Sequence, residues 1–218
     1  MKRSIFLSCL RTRWLPLMTL GMALLSPAMA ADSARISVIG TILPPPCTLS
    51  LDNHRVDLGT IQASSLSRTA RHSKRDAARI AFEVACKQPS RVRMRFTDNH
   101  PDSAPADQPA WAGDFGLGKV AGKKIGSFSM YFEPTTLRSG TRSVKPVYLN
   151  APDGPGASYN DIFSTAQMGW AGAHQDHAGS VDRLNGEIVL SYTLEHADDL
   201  PLEREIPFNG WVTIDLEY

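Results

Sequence analysis

Cysteines are the residues of this chain whose type and spacing point most directly to chemistry. There are three, Cys9, Cys47 and Cys86. Cys9 belongs to an apolar N-terminal leader, so its removal leaves one pair. In an oxidising compartment a pair of this kind predicts a single disulfide bond between Cys47 and Cys86. A metal site or a catalytic thiol is the alternative, although the C-x-x-C spacing and nearby Cys/His pairs typical of metal clusters are absent.

The N-terminus predicts the compartment. Residues 1–13 carry four basic residues and no acid, residues 14–25 are mostly apolar, and Ala28-Met29-Ala30 follows as a small-x-small cleavage signal. This order is typical of a secretory signal peptide, and the apolar run is too short to span a bilayer. We therefore predict a signal peptide over residues 1–30 and one mature domain over residues 31–218. No N-x-S/T sequon occurs, so nothing points to a glycosylated eukaryotic secretory protein. A bacterial protein exported through the periplasm fits these features.

Charge and motifs argue against several function classes. The chain has 23 basic and 22 acidic residues, and four of the basic ones lie in the leader. The mature domain is thus slightly acidic, which does not favour a nucleic-acid partner. The sequence "GLGKVAGKK", residues 116–124, misses the phosphate-loop spacing and predicts a β-turn. The pair His174 and His177 stands among glycines, so we expect a solvated loop there. No spacing indicates a catalytic triad, and we predict no enzyme activity and no catalytic, cofactor or metal site.

Alternation with a period of two predicts that the domain is built from half-buried strands. The seven segments that alternate are residues 36–43, 56–61, 79–86, 91–96, 125–132, 187–194 and 211–218. Asn185-Gly186 and Asn209-Gly210 predict tight hairpins, because Asn-Gly tolerates the positive φ angles of a type I′ turn. We interpret the polar stretches 97–118 and 134–180 as loops, the second with one helical turn near residues 161–167. The basic run 68–79 is interpreted as a solvated linker.

These elements predict an all-β fold, an immunoglobulin-like Greek-key sandwich. Three prolines, Pro44 to Pro46, end the first predicted strand, and Cys47 begins the next element. Proline has no N–H for a strand ladder, so the break is firm. A disulfide there would tie the edge of the sandwich to the 79–86 strand.

Several of these segments together resemble the subunits of bacterial chaperone–usher fimbriae. They are "VIGTILPPPCTLSL", "VDLGTI" and "IAFEVACKQPSRV", while "FGLGKVAGKKIGSFSMYF" and "FNGWVTIDLEY" resemble a subgroup of fimbrial-like proteins carried as a domain of unknown function. The resemblance covers most of the mature chain. It implies a pilin-like sandwich that lacks one strand, so that an apolar groove and an unpaired edge are left exposed.

The resemblance also implies partners. A periplasmic chaperone would lend the missing strand, an outer-membrane usher would export the chain, and other fimbrial subunits would follow by strand addition. Carried onto this sequence, Val212, Ile214, Leu216 and Tyr218 would face the groove, and the Tyr218 carboxylate would be anchored by the chaperone. The resemblance therefore implies a structural or accessory subunit that contributes to surface adhesion, located in a fimbrium or at the cell surface.

Two departures from the pilin pattern leave alternatives open. Tyr218 is last rather than next to last, and Glu205 stands where pilins commonly have glycine. The residues before "ISVIGTIL" in the mature chain are few, so Ile36, Val38, Thr41 and Leu43 are open to assignment to the domain's own first strand, to a donor strand, or partly to both. A carbohydrate-binding surface protein or tip adhesin is the alternative function. It would bind a host glycan through the 134–180 loop, where Tyr159, Phe163 and Trp170 offer aromatic rings.

Overall fold

The computed structural model describes residues 35–42, 47–104, 113–150, 156–175 and 177–218. The chain divides into two units, residues 1–41 and residues 42–218. The described part of the second unit contains twelve strands and no α-helix. The strands are β1 Cys47–Leu51, β2 His72–Ser90, β3 Arg93–Asp98, β4 Asp114–Gly116, β5 Lys119–Val120, β6 Lys123–Lys124, β7 Gly126–Phe132, β8 Arg138–Ser139, β9 Arg142–Tyr148, β10 Gln167–Gly172, β11 Val181–Leu194 and β12 Val212–Glu217.

The main strands form two antiparallel sheets that pack as a sandwich. Sheet A has the order β1-β2-β11-β7-β4, and sheet B has the order β9-β10-β3-β12. The short β8 joins them, because it pairs with β11 in sheet A and with β9. Strands that are distant in sequence, such as β3 and β12, lie side by side. The predicted all-β sandwich is confirmed, and its order is consistent with an immunoglobulin-like fold.

Aromatic side chains from both sheets meet in the core. Phe82 and Phe132 of sheet A contact Trp170 of sheet B, with ring centroids 6.1 and 5.1 Å apart. Phe96 of sheet B lies edge-on to Phe132 at 6.0 Å. Such tilted and edge-to-face pairs are favourable beyond the area that they bury. The predicted alternation of Val92, Met94 and Phe96 is present, since these three side chains are buried and the arginines between them are not.

Both Asn-Gly hairpin predictions are wrong. Asn185 and Gly186 lie inside β11, where Gly186 faces Leu137 and Phe82 with no room for a Cβ. Gly210 lies in the irregular segment before β12, and a Cβ there would come within 2.5 Å of the Gly116 carbonyl oxygen. These two glycines therefore serve close packing rather than a turn. Two-residue turns do form hairpins at Ala121-Gly122, at φ +52° and +78°, between β5 and β6, and at Gly140-Thr141 between β8 and β9.

The interpretation of residues 134–180 as one long loop is also wrong. This region contains β8, which joins the two sheets, and β9 and β10, which complete sheet B. The predicted helical turn near residues 161–167 is absent; Asp161 and Ser164 form isolated β-bridges instead. The period-two pattern did not predict β10, "QMGWAG", because this strand is buried on consecutive residues rather than on alternate ones.

Three further predictions need correction. Residues 36–42, the described part of the predicted first strand, contain no strand, and neither do residues 56–61. In the second case Gly59 has φ +73° and its N–H bonds to the Asp57 carboxylate at 2.8 Å, which is a local turn. The basic run 68–79 is not a linker from His72 onward, because β2 begins there. The predicted signal peptide lies outside the described residues.

Candidate functional site

The Cys47–Cys86 disulfide is present and joins two directly opposed residues of β1 and β2. The two Cα atoms are 4.0 Å apart, and Cys47 is buried. A short Cα separation is typical of antiparallel residue pairs that do not hydrogen-bond to each other. The bond therefore fastens β1, an edge strand, to the long β2. A disulfide in this place indicates an oxidising, extracytoplasmic compartment.

Strand β12 has a free backbone edge. Among the described residues its only strand partner is β3, in the register Val212 opposite Asp98 to Glu217 opposite Arg93. The Asn99 N–H donates to the Trp211 carbonyl at 3.2 Å, which identifies that pair as hydrogen-bonded. Hydrogen-bonded and non-hydrogen-bonded pairs alternate along an antiparallel ladder. The N–H and C=O groups of Val212, Ile214 and Leu216 therefore point away from β3.

Strand β1 has a matching free edge. In the described residues it pairs only with β2, and the Asp52 N–H donates to the Ala81 carbonyl at 3.0 Å. By the same alternation, the backbone groups of Cys47, Leu49 and Leu51 point away from β2. The residues with free backbone groups are thus also the apolar, inward-facing residues of the strand.

The line along which these two free edges approach each other, with some Cα atoms of β1 and β12 within 8 Å, is called the open seam below. Its walls are Leu49 and Leu51 of β1 and Val212, Ile214 and Leu216 of β12, all half-buried and packed against the core. The predicted alternation of β12 is present, because Thr213 and Asp215 are exposed on the opposite face. A half-buried apolar wall beside unused backbone donors and acceptors is the environment that an added strand completes. The assignment of Val212, Ile214 and Leu216 to a chaperone interface stays a prediction.

Tyr218 closes one end of the open seam. Its hydroxyl donates to the Cys47 carbonyl at 2.9 Å, although the side chain is 51% exposed. The neighbouring Glu217 is bound on sheet B by Arg95, with Nε to Oε1 at 2.8 Å, and by the side-chain amide of Gln167. The end of β12 is therefore attached to both sheets. The predicted anchoring of the Tyr218 carboxylate by a chaperone stays a prediction.

The segment of residues 35–42 exposes most of the large apolar side chains that the described residues show to solvent. Ile36, Val38, Ile39 and Ile42 are between 89% and 99% exposed. Ile36, Val38 and Ile42 share one face when the chain is extended, with Gly40 between them. Isolated apolar side chains at a surface are ordinary, whereas this segment exposes four within seven residues.

One cluster of described residues has the donor types of a metal site. Glu195, His196 and Asp199 bring one ligand atom each to within 4.8 Å of one another. Glu195 already accepts a bond from Arg71 Nε at 2.9 Å, and His196 lies 3.4 Å from Asp199. Because Glu195 already bonds to Arg71, the proximity of these three side chains does not by itself indicate an ion.

An open depression of about 470 Å³ lies on sheet A. Its charged side chains already pair with one another or with the backbone. Glu83 pairs with Arg183 at 3.1 Å, and Glu187 pairs with Arg79 at 3.1 Å. Asp52 accepts a backbone N–H at 2.9 Å. Surface ion pairs of this kind contribute little stability and leave few polar groups for a ligand.

The aromatic residues considered for glycan binding pack inward instead. Trp170 is 1% exposed, and Tyr159 and Phe163 contact Tyr148, with ring centroids 6.0 and 5.2 Å away. Tyr148 is fully buried, and burial raises its pKa well above the usual range. These rings hold the connection between β9 and β10 on the core. His174 and His177 lie in a turn region outside any helix.

Fold and site together define an all-β, disulfide-linked sandwich with an open seam between two edge strands. No helix in the described part of the chain has the length and apolarity needed to cross a membrane. No model of a known protein family matches the chain, and no curated protein matches it.

Proposed function

We propose that this chain is a structural or accessory fimbrial subunit that a periplasmic chaperone and an outer-membrane usher assemble. The chain would contribute to bacterial adhesion as part of a fimbrium at the cell surface. The open seam carries the proposal, because both of its edges offer backbone hydrogen-bonding groups beside half-buried apolar side chains. A strand supplied by a partner satisfies both needs at once.

The N-terminal segment supports the same proposal. Residues 36–42 are apolar, exposed and outside any strand, and they precede the first edge strand in sequence. A segment of this kind is suited to pair with the seam of another subunit. The chain thus contains both a strand-accepting seam and a candidate strand donor. This favours assignment of residues 36–43 as a donor strand over the domain's own first strand.

The disulfide is consistent with the periplasmic route, because thiols are oxidised in that compartment. An adhesin function through residues 134–180 has no comparable support. That region supplies three strands of the sandwich, and its aromatic rings pack on the core.

Expression in the periplasm tests the proposal. The chain is expressed alone and together with a periplasmic pilus chaperone from the same organism. We expect a one-to-one complex on size-exclusion chromatography, and degradation or self-association of the chain expressed alone. A stable monomer that ignores the chaperone would contradict the proposal. A chaperone variant with its donor strand disrupted is the control, and it should behave as if no chaperone were present.

A further inference from the structure

Tyr218 makes a contact that strand addition at the seam has to break. Cys47 is the first residue of β1 whose backbone groups point away from β2. Its carbonyl already accepts a hydrogen bond from the Tyr218 hydroxyl at 2.9 Å. At Leu49 and Leu51 the corresponding groups have no strand partner in the described structure. An added strand that pairs along the whole of β1 therefore competes with Tyr218 at one position.

The rest of the chain's end holds Tyr218 in place. Glu217 is bound by Arg95 and Gln167 on sheet B, so the backbone that carries Tyr218 is fixed on that side. Cys47 is fixed on the other side by its disulfide to Cys86. The hydroxyl contact therefore spans the seam between two anchored points rather than between two mobile ones.

We infer that Tyr218 is a latch that ties β12 to β1 in the unoccupied subunit and opposes the entry of a partner strand at the Cys47 end of the seam. This inference rests on the proposed function, because it concerns regulation of the same seam. Its chemistry is an exchange of hydrogen-bond donors at the Cys47 carbonyl. The Cys47 carbonyl gives up the tyrosine hydroxyl and accepts an N–H of the incoming strand, while the hydroxyl turns to water.

Removing only the hydroxyl tests the latch. Tyr218→Phe keeps the ring and removes the bond that must be broken. A neutral hydrogen bond of this kind corresponds to about a two- to tenfold change in an equilibrium constant. We therefore expect the mature Tyr218→Phe chain to bind a strand peptide about two- to tenfold more tightly than the wild type does.

The probe is a synthetic, fluorescently labelled peptide with the sequence of residues 35–43, added during refolding of the full mature chain. Anisotropy gives the affinity, and hydrogen exchange at the Ile214 and Leu216 amides reports whether the peptide occupies the seam. Tyr131→Phe is the matched control. It also removes a tyrosine hydroxyl bond of 2.9 Å, to Asp76, on the outer face of sheet A. It should leave the affinity for the peptide unchanged.

The outcomes separate the latch from the function on which it rests. Tighter binding by Tyr218→Phe alone, with protection of the seam amides, supports the latch, and so does binding by Tyr218→Phe when the wild type takes up no peptide. If wild type and Tyr218→Phe bind equally, or the variant binds more weakly, the latch is wrong while the strand-accepting seam stands. Equal gains for Tyr131→Phe would also refute it. If neither protein takes up the peptide, the seam does not accept a strand, and both proposals fail.

Discussion

Two adjacent residues of β12 give a sharp test of the seam. Ile214 points inward, is half-buried, and stands opposite Phe96 of β3. Thr213 points outward, is exposed, and its hydroxyl oxygen lies 3.1 Å from the Asn99 side-chain nitrogen. The variants Ile214→Asp and Thr213→Asp introduce the same carboxylate one position apart. Only their faces differ.

The expected magnitudes follow from the burial. Full burial of an isoleucine side chain is worth about 1.5–3 kcal/mol, so a half-buried one loses roughly half of that on replacement. A carboxylate held against an apolar wall adds a desolvation cost of about 1–3 kcal/mol. We expect Ile214→Asp to lower the free energy of unfolding by about 2–4 kcal/mol. Thr213→Asp should cost less than about 0.5 kcal/mol, as is usual for exposed positions.

The two measurements are urea denaturation of the chain refolded without chaperone, at a concentration low enough to suppress self-association, and co-purification with the chaperone. For a small domain the free energy of unfolding ordinarily falls by about 2 kcal/mol per molar urea. Ile214→Asp should therefore lower the urea midpoint by about 1–2 M. It should also abolish the chaperone complex, whereas Thr213→Asp should keep it. If Thr213→Asp were as damaging as Ile214→Asp, the assigned face of β12 would be wrong. If Ile214→Asp destabilised the chain and still bound the chaperone normally, β12 would not form the interface.

Three further predictions concern the scaffold. Replacing both Cys47 and Cys86 by alanine should lower the free energy of unfolding by roughly 4 kcal/mol, which is the chain-entropy value for a loop of this size. An unchanged free energy of unfolding in urea would contradict a structural role for the disulfide. Burial raises the pKa of Tyr148. Above about pH 10 the phenol therefore keeps its proton in the folded state and loses it in the unfolded state. The free energy of unfolding should then fall by about 1.4 kcal/mol for each pH unit above that point. Urea titrations from about pH 9 to about pH 11.5 should show a shallower decline for Tyr148→Phe, and parallel declines would refute the assignment. Gly210→Ala should lower the free energy of unfolding by about 1–3 kcal/mol, because its Cβ would meet a backbone oxygen at 2.5 Å. Gly179→Ala is the control, because the nearest atom to its Cβ is 4.0 Å away, and it should change the melting temperature little.

The sequence predicted those elements whose signal is local. Alternation over residues 91–96 and 125–132 corresponds to β3 and β7, because each strand has one face on the core and one outside. The disulfide was predictable from the count of cysteines in an exported chain. The inward face of β12 followed from the same period of two, which needs no knowledge of the neighbouring strands.

Features that depend on distant partners were not predictable. Asn209-Gly210 has the chemistry of a hairpin turn, yet Gly210 is needed where the chain passes Gly116 and Phe128, more than 80 residues earlier in the sequence. Strands β9 and β10 contain Pro146 and glycines and show no clean alternation, so only their pairing identifies them. Periodicity does not encode which strands lie at the two edges, so an unpaired edge was expected only from the resemblance to fimbrial subunits and not from the residue pattern.

The central claim, that β12 presents a free backbone edge at the seam, is tested most directly by amide hydrogen exchange along this strand. In the isolated chain, the amides of Val212, Ile214 and Leu216 should exchange quickly, and those of Thr213, Asp215 and Glu217 should exchange slowly because they bond to β3. Binding of the chaperone should slow the first set and leave the second unchanged. Slow exchange at all six amides in the isolated chain would show that the edge is already covered, and it would contradict the account.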